Sequence, residues 1–156
     1  MNTPQNHLHA LSQFLAANEI ITDADAMAPF CLDQRRRYQG EVWAVLQPRS
    51  VAAVQEIMRY CFAQQIAVTP QGGNTGLCGG ATPHATVAGR GVILSLGKLN
   101  RLRQLNLADN SLTVEAGMVL ADVQRIAAEA GRFFPLSLAS EGSCQIGGNI
   151  ACNAGG

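Results

Sequence analysis

One glycine-rich stretch restricts what this chain can fold into more than any other feature. It reads P-Q-G-G-N-T-G-L-C-G-G over residues 70–80 and is called the first glycine loop here. A short run of strand-forming residues, 66–69, leads into it, and we expect Pro70 to end that strand. Glycine permits backbone angles that other residues avoid and lets other atoms approach the main chain closely. Such a loop can direct several N–H groups toward one point and bind an anion such as phosphate.

A second stretch of the same character reads E-G-S-C-Q-I-G-G-N-I-A-C-N-A-G-G over residues 141–156 and is called the second glycine segment. Neither stretch matches the G-x-G-x-x-G dinucleotide fingerprint followed by a helix, and the first loop contains no lysine of a Walker A motif. A single G-G-N-T-G is as compatible with a surface turn as with a binding loop. The presence of a second G-G-N favours two walls of one ligand site.

Together the two motifs resemble the FAD-binding domain of the vanillyl-alcohol-oxidase/p-cresol-methylhydroxylase (PCMH) type. Within that type they are most similar to FAD-linked D-2-hydroxy-acid dehydrogenases, which act on D-lactate, glycolate or D-2-hydroxyglutarate. The resemblance begins near Tyr38 and continues to the end of the chain. It implies a flavin-dependent oxidoreductase that converts a D-2-hydroxy acid to the 2-oxo acid and passes electrons to an acceptor. Family members are much longer, so we expect an N-terminal fragment with a truncated FAD-binding domain that is inactive alone.

The order of apolar patterns predicts an α+β fold with a small parallel βαβ subdomain, a strand-rich subdomain and the ligand between them. We expect an N-terminal helical segment over 1–37 and the FAD-binding domain over 38–156. A second short helix should begin near Thr22 or Asp23 and end before Pro29. The other predicted helices cover 4–17, 51–64, 119–129 and a short turn near 147–149. The predicted strands are 42–46, 66–69, 92–96 and a hairpin of 102–107 with 111–116.

The resemblance assigns the cofactor contacts residue by residue. In the first loop, backbone N–H groups face the FAD pyrophosphate, the Asn74 amide and Thr75 hydroxyl add donors, and Gly73 needs a positive φ or a close phosphate. In the second segment, the matching residues follow the ribityl chain and the flavin. For the polar ones, capping of the short helix at Asn149 is an alternative. The predicted cofactor-binding residues are Gln71, Gly72, Gly73, Asn74, Thr75, Gly76, Gly79, Gly80, Gly142, Ser143, Gly147, Gly148, Asn149 and Asn153.

The chemistry of the flavin linkage follows from Asn74. Covalent relatives of the berberine-bridge type carry a histidine at this position, and asparagine cannot form that bond, so non-covalent FAD is expected. His84 is the nearest histidine, and a surface role fits it best. No catalytic base can be named, and no residues have the spacing of metal ligands. In the family, those groups lie in the part of the protein beyond this stretch.

Composition limits the partners. A formal net charge of +0, with 14% charged and 5% aromatic residues, argues against nucleic acid. Five cysteines without C-x-x-C indicate reduced thiols and a cytoplasmic setting. No apolar run reaches the roughly 20 residues of a membrane span.

Arg35–Arg37 is either a solvated turn or a contact to a negative ligand group or partner subunit. A homodimer, an oxygen-using oxidase and a non-catalytic nucleotide-binding module remain open.

Overall fold

The structure is a computed structural model that describes residues 3–84 and 89–155 of the chain. Its helices are α1 (Pro4–Leu11), α2 (Ala24–Cys31), α3 (Val51–Ala63), α4 (Leu120–Glu129) and α5 (Ile146–Ala151). Its strands are β1 (Ile20–Ile21), β2 (Ala44–Leu46), β3 (Ala67–Gln71), β4 (Gly91–Ser95), β5 (Leu102–Asn106) and β6 (Ser111–Val114). This mixture of a sheet, a hairpin and helices is the predicted α+β class. Residues 85–88, in the irregular stretch expected over 82–90, and Gly156 of the second glycine segment lie outside the described residues.

The four-stranded sheet has the order β1-β2-β4-β3. β4 is parallel to both β2 and β3, and β1 is antiparallel to β2. The predicted parallel arrangement of β2 and β3 is therefore present, but the two strands are not neighbours because β4 inserts between them. The burial of the strands explains this order. All five residues of β4 are buried, as is typical of a central parallel strand, whereas β3 is mostly half-buried and lies at the edge.

The expectation that Pro70 ends its strand was wrong. β3 continues to Gln71, and Pro70 pairs in register with Leu94. Proline lacks a backbone N–H and is tolerated at a sheet edge, where one side of the strand has no partner strand. Because of this extension, the first glycine loop begins at the edge of the sheet itself rather than after a separate turn.

The N-terminal helices also differ from the prediction. α1 ends at Leu11 instead of Ala17, and residues Ala17–Glu19 form a separate 3-10 turn. α2 begins after Asp23, whose side chain accepts a hydrogen bond from Ala26 N–H, but it runs through Pro29 to Cys31. A proline only two residues before the end of the helix removes one hydrogen bond and does not prevent the last turn.

The main core lies on one face of the sheet, between the strands and helices α1 and α3. Alternate residues of β2 and β4 point to this face because side chains of a strand alternate between its two sides. The buried cluster consists of Leu11, Leu15, Ala44, Leu46, Ile57, Cys61, Val92 and Leu94. The stretch before residue 38 thus contributes to the same core as the strands. A domain boundary at residues 37 and 38 stays a prediction.

The hairpin β5–β6 forms the predicted strand-rich part. Glu115 follows β6, is only 6% exposed and accepts hydrogen bonds from Arg101 N–H (2.9 Å) and the Arg103 guanidinium (2.5 Å). These donors, with the Arg101 N–H first, hold the pKa of Glu115 below its ordinary value. The carboxylate therefore stays charged and fixes the base of the hairpin.

None of the helices in the described ranges combines the length and apolar character that a bilayer-spanning segment requires.

The position of α1 in the core can be tested by truncating one leucine. Leu11 is 0% exposed, so Leu11→Ala should leave a cavity and lower the free energy of unfolding by about 2–5 kcal/mol. Phe62→Ala is the matched control, because Phe62 is 80% exposed and its removal should change stability by no more than about 0.5 kcal/mol. Chemical denaturation of both variants measures this. An unchanged stability in Leu11→Ala would contradict the packing of α1.

Candidate functional site

The candidate site lies at the end of the sheet that is formed by the carboxyl ends of β3 and β4. These strands are parallel, and Gln71 pairs with Ser95 at their carboxyl ends. The first glycine loop leaves the sheet at these carboxyl ends, and open α/β sheets bind their ligands at the same end of the strands. The sequence-based expectation that the loop follows the carboxyl end of a strand is confirmed.

The two glycine stretches meet in direct backbone contact. A Cβ atom added to Gly73 would overlap the Ser143 carbonyl oxygen and lie 3.1 Å from the Cα of Cys144. The two stretches are therefore adjacent, as two walls of one site require. The expected reason for glycine at position 73 was only partly right. Gly73 is not among the residues with positive φ, so the requirement arises from the close approach of the second segment.

The side chain of Gln145 lies close to Gly72, which follows β3, and to Gly97, which lies just after β4. A Cβ atom on Gly72 would lie 3.3 Å from Gln145 Oε1, and one on Gly97 would lie 3.2 Å from Gln145 Nε2. Within the described part of the chain, this Oε1 is buried and has no hydrogen-bond partner. A buried acceptor without a partner costs about 1–3 kcal/mol and commonly marks a functional site. Neither Gln145 nor Gly97 is among the cofactor-binding residues predicted from the sequence.

Five consecutive main-chain N–H groups of the first glycine loop have no partner in the part of the chain that the structure describes. Among the described residues, none of the N–H groups of Gly72, Gly73, Asn74, Thr75 and Gly76 donates a hydrogen bond to another protein atom. Consecutive N–H groups of this kind bind anions because their dipoles supply positive charge without a lysine. The loop therefore fits a pyrophosphate group. The second glycine segment, which contacts the loop at Gly73, extends the site and fits the rest of a long cofactor.

The Gln71 and Asn74 side chains of this loop donate hydrogen bonds to carbonyl oxygens of the protein, most of them at or near the end of α2. Asn74 Nδ2 donates to the carbonyl oxygens of Leu32 (2.8 Å) and Pro29 (3.3 Å). Gln71 Nε2 donates to the carbonyl oxygens of Phe30 and Ala81, both at 2.8 Å. The Asn74 amide, expected as an extra donor to the pyrophosphate, is thus used to bind the end of α2. Gln71 and Asn74 as cofactor contacts through their backbone stay predictions.

A tight turn after α2 adjoins the same loop. Its organising residue is Asp33, which is 3% exposed and whose carboxylate accepts hydrogen bonds from the N–H groups of Arg35 (3.1 Å), Arg37 (2.6 Å) and Tyr38 (2.7 Å). These donors, with the Tyr38 N–H first, hold the pKa of Asp33 below its ordinary value. The Tyr38 ring packs against Gly79, which has a φ of +71°. A side chain at position 79 would be strained and would also meet that ring at 2.6 Å.

The second glycine segment is bound to the strand-rich part by backbone hydrogen bonds. Gly147 N–H donates to the Ala116 carbonyl (2.8 Å), and Leu120 N–H donates to the Cys144 carbonyl (3.0 Å). A Cβ atom on Gly147 would lie 2.7 Å from the Ala116 Cβ. α5 begins at Ile146 with Gln145 at the N-cap. The alternative that Asn149 caps this helix was wrong, because Asn149 lies inside it.

The predicted site residues divide between two sides of the second segment. Ser143 faces the first loop, whereas Gly147, Asn149 and Asn153 line an open cleft of about 650 Å³ between α5 and β6. Asn149 is 6% exposed and its Nδ2 lies 3.5 Å from Cys144 Sγ. Within the described residues, a Cβ atom would meet nothing within 4 Å at Gly76, Gly80, Gly142 and Gly148. Their role as cofactor contacts, like that of Thr75, stays a prediction.

The described ranges contain no group of three or more His, Cys, Asp or Glu residues that could hold a metal ion.

Comparisons with known proteins agree with this geometry. A family model described as "FAD binding domain" matches residues 43–156. A D-2-hydroxyglutarate dehydrogenase of Xanthomonas citri pv. viticola is 43% identical over 148 residues, which are 94% of this chain and 30% of that protein. The mitochondrial D-2-hydroxyglutarate dehydrogenase of Bos taurus is 38% identical over 97% of this chain and 27% of its own length. A putative mitochondrial D-lactate dehydrogenase of Schizosaccharomyces pombe is 37% identical over 86% and 25%.

Solved structures share the fold. Alkyldihydroxyacetonephosphate synthase superposes with a TM-score of 0.87 and 14% identity, over 100% of this chain and 33% of that one. p-Cresol methylhydroxylase superposes with a TM-score of 0.68 and 19% identity, over 81% and 25%. The predicted PCMH-type architecture is therefore confirmed. The chain spans about a third or less of the length of the relatives it matches.

The contact between the two glycine stretches predicts the effect of one substitution. Gly73→Val should abolish FAD binding with little loss of helix content, because valine would separate the stretches that Gly73 lets meet. Ala128→Val is the matched control, because it adds a valine side chain at an exposed position of α4, outside both glycine stretches. Flavin fluorescence titration and circular dichroism measure the two effects. Normal FAD binding by Gly73→Val would show that the contact is not required.

The turn at Asp33 predicts a pH dependence of stability. A carboxyl whose pKa is lowered by folding stabilises the protein above its unfolded pKa of about 4 and loses that contribution as the pH falls through the folded pKa. Asp33→Asn should therefore be less stable than the original chain at pH 7. The difference should shrink below about pH 4. Urea denaturation of both proteins between pH 7 and pH 3 measures it, and a constant difference over this range would contradict the role of the charged carboxylate.

Proposed function

The chain belongs to the family of FAD-binding domains, and we propose that it forms the FAD-binding part of a dehydrogenase that oxidises a D-2-hydroxy acid to the 2-oxo acid. The observation that carries the proposal is the meeting of two glycine stretches beside a row of N–H groups with no protein partner in the described structure. The names of the relatives, D-2-hydroxyglutarate and D-lactate dehydrogenase, support the substrate class.

The residues of this chain bind and orient the cofactor. The N–H groups of residues 72–76 bind the pyrophosphate, and the second glycine segment follows the ribityl chain and the ring system. Bound FAD supplies the acceptor for the hydride that leaves the hydroxyl-bearing carbon of the substrate. The chain contributes a rigid, closely packed edge, which keeps the cofactor in one position while the chemistry proceeds.

The FAD is proposed to be held without a covalent bond. Asn74 stands where the covalent relatives carry histidine, and both of its Nδ2 contacts are to carbonyl oxygens near the end of α2. A carboxamide held in this way offers no nucleophile to the flavin. The electron acceptor, a cytoplasmic location and a homodimer remain predictions, and several relatives are named as mitochondrial.

The mode of flavin attachment has a direct test. Acid precipitation of the flavin-loaded protein should release all of the yellow colour to the supernatant, because no bond joins FAD to the chain. A covalently flavinylated protein treated in parallel serves as the control, since its flavin should stay in the pellet. Flavin remaining in the pellet of this protein would contradict the non-covalent assignment.

The substrate class is tested by turnover of the whole protein to which the chain belongs. With an artificial electron acceptor and no oxygen, D-lactate or D-2-hydroxyglutarate should reduce the acceptor, and the L-enantiomers at the same concentration should not. Activity that requires oxygen and produces hydrogen peroxide would indicate an oxidase of the same fold. Protein that binds FAD but leaves it oxidised with every hydroxy acid would contradict the dehydrogenase proposal.

A further inference from the structure

A small polar depression adjoins the first glycine loop on the side of α2. It has a volume of about 310 Å³ and contains two residues of the loop. Its lining consists of Pro29, Leu32, Asp33, Gln34, Arg36, Gly73 and Asn74. Arg36 is the one lining residue that is always cationic at neutral pH. The depression therefore places Arg36 beside two residues whose N–H groups have no protein partner in the described structure.

Two sets of hydrogen bonds fix the distance between Arg36 and the loop. Asn74 binds the carbonyl oxygens of Pro29 and Leu32, which joins the loop to the residues directly before the Arg36 turn. The Asp33 carboxylate accepts three backbone N–H groups from within that turn. Since the carboxylate already has these three donors, it is a weak competitor for the Arg36 side chain. The backbone of Arg36 is thus held in a set position relative to Gly73 and Asn74.

The Asp33 carboxylate, which interacts electrostatically with Arg37, is the one negative charge opposing the three arginines of this turn among the residues that form it. Arg35, Arg36 and Arg37 are exposed and form no ion pair with any described residue. Arg36 also has a φ of 55°, in the left-handed region that residues with a Cβ atom adopt at a cost. A solvated turn would accommodate glycine or asparagine at that position more easily. Arg36 thus keeps a cationic side chain at a position where its backbone angle is costly.

We propose that Arg36 and the N–H groups of Gly73 and Asn74 form an anion subsite for a phosphate group of the bound dinucleotide. A phosphate has several oxygens that can accept from a guanidinium and from backbone N–H groups at once. Arg35 and Arg37 do not line the depression and serve no such role. This inference rests on the proposed function, because it requires that the chain bind FAD.

The test compares four purified proteins by FAD titration in the absence of substrate. Arg36→Gln should weaken FAD binding by about 10- to 100-fold, as expected for loss of a charged hydrogen bond to phosphate. Arg36→Lys keeps the charge without the planar fork and should recover part of the affinity. Arg35→Gln removes the same charge from the same turn and should change the dissociation constant by no more than about twofold. Thermal unfolding of each variant checks that the turn remains folded.

Three other results would overturn the subsite. An unchanged FAD affinity in Arg36→Gln would show that its guanidinium makes no contact with a phosphate of FAD. Equal losses in Arg36→Gln and Arg35→Gln would indicate general electrostatic attraction instead of a site. An unchanged FAD affinity with a raised KM for the hydroxy acid would assign Arg36 to the substrate carboxylate. Failure of the unsubstituted protein to bind FAD would reject the proposed function and the subsite together, so the two failures are distinguishable.

Discussion

The approach of Gly73 to the backbone of Ser143 and Cys144 is the contact on which the rest of the site depends. It joins a loop at the edge of the parallel sheet to a segment that is otherwise bound to the strand-rich part. Backbone atoms can come this close only where no Cβ atom intervenes. The glycines at positions 72, 97 and 147 work in the same way, each admitting a neighbouring residue rather than adopting an unusual backbone angle. At these four positions, glycine is therefore required by the packing between segments.

The electrostatics of the site follow from the same arrangement. The first loop contains no lysine and no ion pair among the described residues, so its attraction for an anion comes from oriented N–H dipoles. Such dipoles bind an anion at a lower ordering cost if the loop already has its shape when no ligand is bound. The side chains of Gln71 and Asn74 provide that rigidity through four hydrogen bonds to carbonyl oxygens at or near the site. Polar residues in a binding motif thus serve here to hold the backbone in place.

Local patterns were sufficient to predict most of the fold. The periodicity of residues 51–64 and 119–129 gave α3 and α4 within one residue, and alternation gave the β5–β6 hairpin. The order of the sheet was not predicted. The apolar run in β4 is typical of a central strand, but a strand's own residues do not identify which strands lie on either side of it. The bonds of Asn74 and Gln71 to α2 connect residues about forty positions apart. Contacts at such a separation depend on the assembled fold and leave no local pattern to find.

The contacts of α2 show that residues before the matched FAD-binding domain also hold the first glycine loop in place. The family match begins at residue 43, yet Pro29, Phe30 and Leu32 accept the hydrogen bonds that hold the first glycine loop. The carbonyl groups at the end of a helix lack partners within the helix and need donors from elsewhere. Here the donors are side chains of the cofactor loop, so the helix end and the loop satisfy each other. Because each would be left with unpaired polar groups without the other, the stretch preceding the matched domain is part of the physical structure of the site.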